Sequence, residues 1–332
     1  MSKEAAGISR RGFLKGAGSA ALLGAAGTLA LPSSVWARPG RYGTMIDLTR
    51  CDGCRTESFP LPRCVEACRL QNVKKFPEPV KPIRDLWPQK VHDDWSEKRG
   101  VISALTPYNW ITVQKVDLGG EEVFIPRRCM HCDNPPCVGL CPFGALDKYA
   151  SGAVSINPNL CLGGAKCKTV CPWHIPQRQS GVGIYLKLQP IPAGGGVMYK
   201  CDLCRDRLAQ GRMPACVEAC EKRLGGDRPL YFGARDEMAA MAHKRAEAVR
   251  GWIYGEKENG RTSTFYVSRI PFERIDAKLQ EGKTGLLMGK VRNGLDEVNR
   301  WAHAFWAGPA VLAAGAVGLV LRRRRNGGKE DD

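Results

Sequence analysis

Fifteen cysteines fall into four groups along this 332-residue chain, and their spacing leaves one place empty. The groups are Cys51, Cys54, Cys64, Cys68; Cys129, Cys132, Cys137, Cys141; Cys161, Cys167, Cys171; and Cys201, Cys204, Cys216, Cys220. The third group has three members where the others have four, and Gly164 stands where its second cysteine would fall. A fold that gathers this many thiols must be built around whatever they bind.

The spacing within the groups is typical of iron–sulfur sites. In a C-x2-C-x2-C-x3-C-P run, three thiolates on a tight loop bind one cluster and the fourth binds the neighbouring cluster. The third group would match this run if Gly164 were a cysteine. Three complete groups and one deficient group therefore predict three [4Fe–4S] clusters and one [3Fe–4S] cluster.

Sequence repeats indicate which groups belong together. The outer groups, 51–68 and 201–220, share Cys-Asp-x-Cys-Arg and a later Pro-x-Cys-Val-Glu-Ala-Cys. The inner groups, 129–141 and 161–171, share Cys-x3-Cys-Pro followed by an aromatic residue. This nesting predicts an α+β fold of two dicluster ferredoxin-like modules, related by a pseudo-twofold axis and carrying loop insertions.

Exchange of the last cysteine within each pair of groups gives four predicted ligand sets. They are Cys51, Cys54, Cys64 and Cys220 (cluster 1); Cys201, Cys204, Cys216 and Cys68 (cluster 2); Cys129, Cys132, Cys137 and Cys171 (cluster 3); and Cys161, Cys167 and Cys141 (cluster 4). Cluster 4 has the vacancy at Gly164 and is therefore expected to be [3Fe–4S]. The alternative there is a [4Fe–4S] cluster with a non-cysteine ligand on its fourth iron.

Other uses of the cysteines fit the pattern less well. Disulfides are disfavoured by the odd number of cysteines, and structural zinc does not explain the repeated C-x3-C-P. His131 and His174 lie beside cluster cysteines, where either could hydrogen-bond a sulfur. No nucleophile–base set, dinucleotide fingerprint or molybdenum-type site is recognisable, so the protein is predicted to be non-catalytic.

The net charge of +17 would ordinarily suggest an anionic partner such as nucleic acid. The formal count, however, treats cysteine as neutral. Fifteen thiolates, with about +2 for each oxidised [4Fe–4S] core and about +1 for [3Fe–4S], together add about −8. The loaded protein would be only mildly basic, so no nucleic-acid partner is predicted.

The amino terminus carries an export signal. Residues 9–15 read Ser-Arg-Arg-Gly-Phe-Leu-Lys and precede a weakly apolar stretch that ends in Val-Trp-Ala at position 37. This pattern predicts a twin-arginine signal peptide over residues 1–37. That route exports folded proteins, which suits a protein that receives its clusters before export.

The carboxyl terminus carries a second signal. Residues 302–321 contain one ionisable side chain, His303, and four arginines follow at once. Twenty such residues are long enough to span a bilayer, and arginines mark its cytoplasmic side. The sequence predicts a single transmembrane helix with a cytoplasmic tail over 322–332. The main domain, 38–235, and a C-terminal extension, 236–300, would face the periplasm.

Between the two termini the sequence predicts a few regular elements. These are strands at 41–48, 153–156, 230–232 and 264–270, a hairpin of 110–116 with 121–125, a helix at 234–250, and turns over the connector 177–200.

The four groups together resemble the four-cluster ferredoxin-type iron–sulfur subunits of membrane-bound respiratory oxidoreductases. That family includes subunits of formate dehydrogenase-N, nitrate reductase, polysulfide reductase and hydrogenase 2. The resemblance covers residues 43–235, and a signal peptide combined with a C-terminal anchor is most similar to the hydrogenase 2 subunit. In the nitrate reductase subunit the deficient site holds a [3Fe–4S] cluster at the membrane end.

The resemblance implies a periplasmic, membrane-anchored electron-transfer subunit. Its partners would be a catalytic subunit of NiFe hydrogenase type and a quinone-reactive or cytochrome b membrane subunit, with cluster 4 as the last stop. A subunit of formate dehydrogenase or another molybdopterin oxidoreductase is the alternative. A different possibility is a stand-alone reductase whose substrate binds the open iron beside Gly164.

Overall fold

The computed structural model describes residues 41–54, 61–84, 92–188, 195–282 and 287–296. The predicted signal peptide (1–37), transmembrane helix (302–321) and cytoplasmic tail (322–332) lie outside these residues. Within the described ranges, no helix has the length and apolar character needed to cross a membrane.

The described residues contain both strands and helices, most of them short. The strands are β1 (Tyr42–Asp47), β2 (Thr112–Asp117), β3 (Glu122–Arg127), β4 (Leu146–Lys148), β5 (Val154–Ile156), β6 (Gln177–Gln179), β7 (Val197–Tyr199), β8 (Leu230–Ala234), β9 (Trp252–Tyr254) and β10 (Thr264–Ser268). The α-helices are α1 (Arg63–Asn72), α2 (Pro136–Gly139), α3 (Lys166–Val170), α4 (Tyr185–Leu188), α5 (Arg205–Leu208), α6 (Ala215–Leu224), α7 (Arg235–Val249) and α8 (Phe272–Glu281). This mixture confirms the α+β expectation.

Most of the predicted elements are present with small differences at their ends. Strands β1, β5, β8 and β10, the β2–β3 hairpin and helix α7 all lie where the sequence indicated them. The connector 177–200 was expected to contain only turns, and that prediction is wrong. It contributes β6 and β7, which pair with Gln177 opposite Tyr199. Two three-residue strands, one of them Gln-Arg-Gln, carry too little alternation of apolar and polar residues to be recognised.

A four-stranded sheet joins the beginning and the end of the described residues. Its strand order is β8-β1-β10-β9, and β1 runs parallel to β10 with Thr44 opposite Thr264. Both central strands are almost completely buried. Helix α7 covers one face and packs Met238, Ala242 and Ala246 against the sheet. The residues after 235 therefore belong to the same fold as the first strand.

Two helices of equal length carry the last two cysteines of each outer group. Helices α1 and α6 each follow a proline, Pro62 or Pro214, and pack against each other. The C-x3-C spacing puts both cysteines of each helix on one face, because residues four apart are neighbours on a helix surface. The pairing of these helices fits the predicted pseudo-twofold relation between the outer groups.

Antiparallel hairpins enclose the inner groups. The β4–β5 pair lies between groups two and three in sequence, and the β6–β7 pair lies between groups three and four. The loop segment 92–95 is tied to β6 and the residue after it, since the Ser180 amide donates to the Asp93 carbonyl and the Trp95 amide donates to the Gln179 side chain. The insertion between groups one and two is thus held against the inner groups.

We expect the central sheet to control the stability of the whole described fold. Phe265 in β10 is 1% exposed and packs under α7, whereas Trp252 in edge strand β9 is 44% exposed. Phe265→Ala should lower the free energy of unfolding by about 3–5 kcal/mol, because it leaves a cavity. Trp252→Ala, the matched control, should change it by about 0.5 kcal/mol. Denaturant unfolding followed by circular dichroism checks this, and equal effects would contradict it.

Candidate iron–sulfur centres

All fifteen cysteines lie in the described residues as free thiols. Ten are buried and five are half-buried, so the thiols face the interior of the protein. The grouping of the thiols in space then decides what they can bind.

One enclosed cavity is lined by the thiols predicted for cluster 1. Its cysteines are Cys51, Cys54, Cys64 and Cys220. Three of these come from the first group, while Cys220 reaches in from helix α6. The thiols predicted for cluster 1 therefore line one cavity, as the predicted exchange of the last cysteine requires.

A second cavity repeats the arrangement for cluster 3. Its cysteines are Cys129, Cys132, Cys137 and Cys171. Apolar side chains complete its wall, including the fully buried Trp173. Among the described residues, no group of three or more His, Cys, Asp or Glu side chains is positioned to hold a metal ion directly. The thiols instead surround two similar spaces, each with the four-thiol lining that a cubic cluster requires.

The remaining cysteines also gather in the predicted combinations. The pKa of the Cys68 thiol is raised by burial and then by the thiolates of Cys201, Cys216 and Cys204, the other members of its set. Burial raises the pKa of Cys167 to about 12, with further contributions from Cys161 and Cys141. The thiols predicted for clusters 2 and 4 therefore lie close enough to affect one another's pKa values.

The four sets follow one another in a row. Clusters 1 and 2 are neighbours, because Cys216 adds to the effect of burial in raising the pKa of Cys64. The second and third sets are also neighbours. Burial raises the pKa of Cys201, Arg128 lowers it, and the thiolate of Cys129 raises it further. Burial raises the pKa of Cys137, and the thiolate of Cys167 raises it further. The third set therefore lies near the fourth.

The backbone supports the alignment that puts a vacancy at Gly164. In each group, the residue before the second cysteine place has a left-handed backbone. These residues and angles are Gly53 (φ 64°), His131 (φ 49°), Gly163 (φ 71°) and Leu203 (φ 59°). The third group therefore turns as the others do, with Gly164 in the position of the missing ligand.

Gly164 itself is not required by the backbone or by packing. Its φ lies outside the left-handed region, and a Cβ added there would meet no atom within 4 Å. The residue is exposed. A cysteine would fit at this position, so the missing thiol is not explained by lack of space.

Each predicted cluster has at least one N–H donor directed at a ligand sulfur. These contacts are Arg63 N–H to Cys54 Sγ at 3.4 Å, Asn72 Nδ2 to Cys68 Sγ at 3.6 Å, Asn259 Nδ2 to Cys132 Sγ at 3.2 Å, and Met198 N–H to Cys161 Sγ at 3.4 Å. Such donors stabilise the charge on a thiolate and tune the potential of a cluster.

The two histidines behave differently. His131 Nε2 lies 3.6 Å from Cys201 Sγ, so this side chain does face a cluster sulfur. His174 is exposed, and its Nδ1 lies 3.2 Å from the Lys168 carbonyl oxygen. His131 therefore makes the contact that the sequence allowed for both, whereas His174 turns to the backbone.

Sequence reasoning missed two buried cations among the sulfurs. Lys200 and Arg128 each immediately precede the first cysteine of a group, at Cys201 and Cys129. Their side chains contact ligand sulfurs. The signal was present as a basic residue before the first cysteine of groups two and four, but sequence alone did not show where those side chains lead.

Burial makes the thiols weak acids when no cluster is bound. It raises the pKa of Cys51 to about 12 and that of Cys220 to about 11. Cluster ligands must be thiolates, so binding a cluster releases protons and removes the cost of charging buried sulfur. The donor set and its enclosed spaces therefore fit iron–sulfur clusters.

Comparison with known protein families agrees with this arrangement. Two models, each described as a 4Fe-4S dicluster domain, match residues 50–145 and 121–226. Together they span all four cysteine groups. Two dicluster modules are therefore present in this protein.

Several curated proteins are similar over most of their length. The hydrogenase-2 operon protein HybA of Escherichia coli O157:H7 is 28% identical over 96% of both sequences. The B subunit of the anaerobic dimethyl sulfoxide reductase of E. coli K12 is 31% identical over 60% of the present sequence and 76% of its own length. A protein of Nitratidesulfovibrio vulgaris is 33% identical over 80% of the present sequence, which covers 65% of that relative, less than two thirds.

The family resemblance seen in the sequence is thereby confirmed. The site gathers thiols, amide donors and buried cations, which suits carrying electrons. This protein belongs to the ferredoxin-type iron–sulfur subunits of respiratory oxidoreductases, and it is an electron-transfer subunit rather than a catalytic one.

Proposed function

We propose that this protein conducts electrons through three [4Fe–4S] clusters and one [3Fe–4S] cluster between a NiFe hydrogenase-type catalytic subunit and a quinone-reactive or cytochrome b membrane subunit. The observation that carries the proposal is the row of four thiol sets, in which each set lies beside the next. Electrons entering at cluster 1 or cluster 4 would have one buried path through the protein.

The ligand sets are those given by the exchanged cysteines. Support comes from two cavities, one lined by the cluster 1 cysteines and the other by the cluster 3 cysteines. Support for a [3Fe–4S] cluster 4 comes from Gly164, which takes the second cysteine place although a side chain would fit there. Loss of one thiolate removes negative charge, which raises the potential of a cluster.

A C-terminal segment supports an arrangement with the inner clusters near the membrane. Residues 287–296 are held beside the second cysteine group. The Asn259 amide donates to the Val291 carbonyl, and Asn293 Nδ2 donates to the Asn134 carbonyl. The predicted transmembrane helix would begin six residues beyond Asp296. Six residues span at most about 20 Å, so this tether would hold the inner clusters close to the bilayer surface.

We further propose a periplasmic location, with export by the twin-arginine route and a single C-terminal anchor. The support is the Arg-Arg signal over residues 1–37 and the apolar stretch 302–321 before four arginines. The two signals favour the same orientation, with the clusters outside the cytoplasm and the tail inside.

The nature of the catalytic partner is proposed from the relatives. HybA, named as a hydrogenase-2 operon protein, aligns over 96% of both sequences, which favours a hydrogenase. Similarity to the dimethyl sulfoxide reductase subunit supports a molybdopterin oxidoreductase, such as formate dehydrogenase, as the second candidate. Purification from solubilised membranes with mass spectrometry of the companions decides between them. Turnover of a substrate by the isolated protein would instead indicate a stand-alone reductase.

Gly164→Cys should convert cluster 4 into a [4Fe–4S] cluster. The wild-type protein is expected to hold about 15 iron atoms, three fours and a three, and the variant about 16. The EPR signal of an oxidised [3Fe–4S] cluster should be lost in the variant. Gly164→Ala, which adds no ligand, is the matched control and should keep the signal. About 16 irons and no such signal in the wild type would contradict the proposal.

The exchange of cysteines predicts which substitutions affect the same cluster. Cys220→Ser and Cys54→Ser should alter one and the same [4Fe–4S] signal in a redox titration, because both thiols line one cavity. Cys216→Ser, on the same helix as Cys220, should alter a different signal. If Cys216→Ser and Cys220→Ser altered the same signal, the ligand sets would be wrong.

Removal of residues 297–332 should release the protein from the membrane. Twenty apolar residues provide an anchor that insertion makes effectively permanent, whereas the described residues contain no helix able to span a bilayer. Fractionation of cells should move most of the protein from the membrane to the soluble periplasmic fraction. Removal of 322–332 alone is the control and should leave it membrane-bound. Equal distribution of the two variants would refute the anchor.

A further inference from the structure

The two middle clusters meet at a pair of buried cations whose side chains cross. Lys200 precedes Cys201, a proposed ligand of cluster 2, yet its ammonium lies 3.5 Å from the sulfur of Cys129, a proposed ligand of cluster 3. The same ammonium also donates to the carbonyl oxygens of Val154 and of Cys201, the latter at 3.0 Å. Lys200 is therefore next to a cluster 2 cysteine in sequence, but its side chain contacts a cluster 3 sulfur.

Arg128 makes the reciprocal contact. It precedes Cys129, a proposed ligand of cluster 3, but its Nη1 lies 3.8 Å from the sulfur of Cys201 in cluster 2. Its guanidinium also donates to the hydroxyl of Thr44 in β1 and, at 3.4 Å, to the carbonyl of Cys129. Each cation thus reaches past the cysteine beside it in sequence to the sulfur of the adjacent set.

Both cations are buried, and the negative charge that balances them comes from the cysteine sulfurs. Arg128 is 2% exposed and Lys200 is 5% exposed. Within the described residues, neither forms an ion pair with a carboxylate, and Arg128 Nε has no hydrogen-bond partner. A buried cation without a compensating anion is costly, so its presence indicates that negative charge is expected beside it.

The electrostatics agree with this arrangement. Burial alone would lower the pKa of Lys200, but the thiolates of Cys129, Cys137 and Cys201 raise it overall. The pKa of Arg128 is likewise raised, against the effect of burial, first by Cys201 and then by Cys216. The dominant partners of Lys200 are cluster 3 sulfurs, and those of Arg128 are cluster 2 sulfurs.

His131 completes the junction without adding a charge. Its Nδ1 accepts the Val154 amide at 3.0 Å, so the ring proton is on Nε2, which lies 3.6 Å from Cys201 Sγ. Burial, and then the charges of Lys200 and Arg128, keep the pKa of His131 well below its usual value. The positive charge at the junction therefore comes from the lysine and the arginine.

We propose that Lys200 and Arg128 are positioning residues that set the potentials of the middle clusters in a crossed manner: Lys200 raises the potential of cluster 3 and Arg128 raises that of cluster 2. The inference rests on the ligand sets proposed above. When an electron passes between these clusters, one is oxidised from the 1+ to the 2+ core and the other is reduced from 2+ to 1+. A fixed buried cation stabilises the more negative, reduced state of the cluster beside it.

Neutral variants of the full-length, cluster-loaded protein test the crossing. Lys200→Met should lower the midpoint potential of cluster 3, and Arg128→Met that of cluster 2. In each case we expect at least about a tenfold fall in the ratio of reduced to oxidised cluster at a given applied potential, which is about 59 mV for one electron. EPR-monitored redox titration measures this, and iron content confirms that the clusters are retained.

Two amides identify the clusters independently. Among the described sulfurs, Asn259 donates to Cys132 alone, so Asn259→Leu marks cluster 3. Asn72 likewise donates to the sulfur of Cys68, so Asn72→Leu marks cluster 2. Lys200→Met should shift the same signal as Asn259→Leu, and Arg128→Met should shift the same signal as Asn72→Leu.

The charge-conserving variants Lys200→Arg and Arg128→Lys should have midpoint potentials near those of the wild type. Lys115→Met, on the partly exposed β2–β3 hairpin, is the control and should shift neither.

The possible failures are distinguishable. If the two amide markers shifted one and the same signal, the proposed ligand sets would be wrong. If the markers differ but Lys200→Met follows Asn72→Leu, each cation acts on its sequence neighbour and the crossing is wrong. Unchanged potentials in both neutral variants would overturn the tuning role. Should Lys200→Met lose iron, Lys200→Gln takes its place as a neutral donor, and loss of iron there too would make the lysine a structural requirement instead.

Discussion

The proposed ligand sets depend on the exchange of one helix-borne cysteine between the two outer groups. Cys220 on α6 lines one cavity with Cys51, Cys54 and Cys64, and Cys68 on α1 lies near the thiols of group four. Each helix also carries a cysteine that stays with its own group, Cys64 on α1 and Cys216 on α6. The cysteine-bearing faces of both helices must therefore be directed at two adjacent cluster sites. The polypeptide from group one to group four therefore closes on itself before either outer cluster has its full ligand set.

Acidic residues of the outer loops help to hold this arrangement together. Asp52 accepts the Cys54 amide at 3.0 Å and pairs with Arg223 at the end of α6. Asp202 accepts the Cys204 amide at 2.8 Å and pairs with Lys75, just beyond α1. The loop of group one is thus fixed at the end of α6, and the loop of group four is fixed just beyond the end of α1. The aspartate of the repeated Cys-Asp-x-Cys motif makes the contact in both cases.

The sequence supports predictions for features with a local signature, but not for contacts between segments that are distant in sequence. Regular spacing predicted the cysteine sets, the vacancy at Gly164 and helix α7, because each has a local signature. Pairing of β1 with β10, far away in sequence, has no such signature, and the three-residue strands β6 and β7 are too short to show one. The crossed contacts of Lys200 and Arg128 were equally hidden, since the sulfur that each approaches belongs to another group.

In the proposed arrangement of four clusters, negative charge is reduced by two different means. At the junction of the middle clusters, buried cations are added beside the sulfurs. At the end of the row, a thiolate is left out at Gly164, and the Met198 amide is a neutral backbone donor to Cys161. Both favour the reduced state, because each lessens the negative charge that a cluster and its ligands present. They differ in what they leave for binding: the cations keep four thiolates on each middle cluster, whereas the omission at Gly164 also changes which cluster the site can hold.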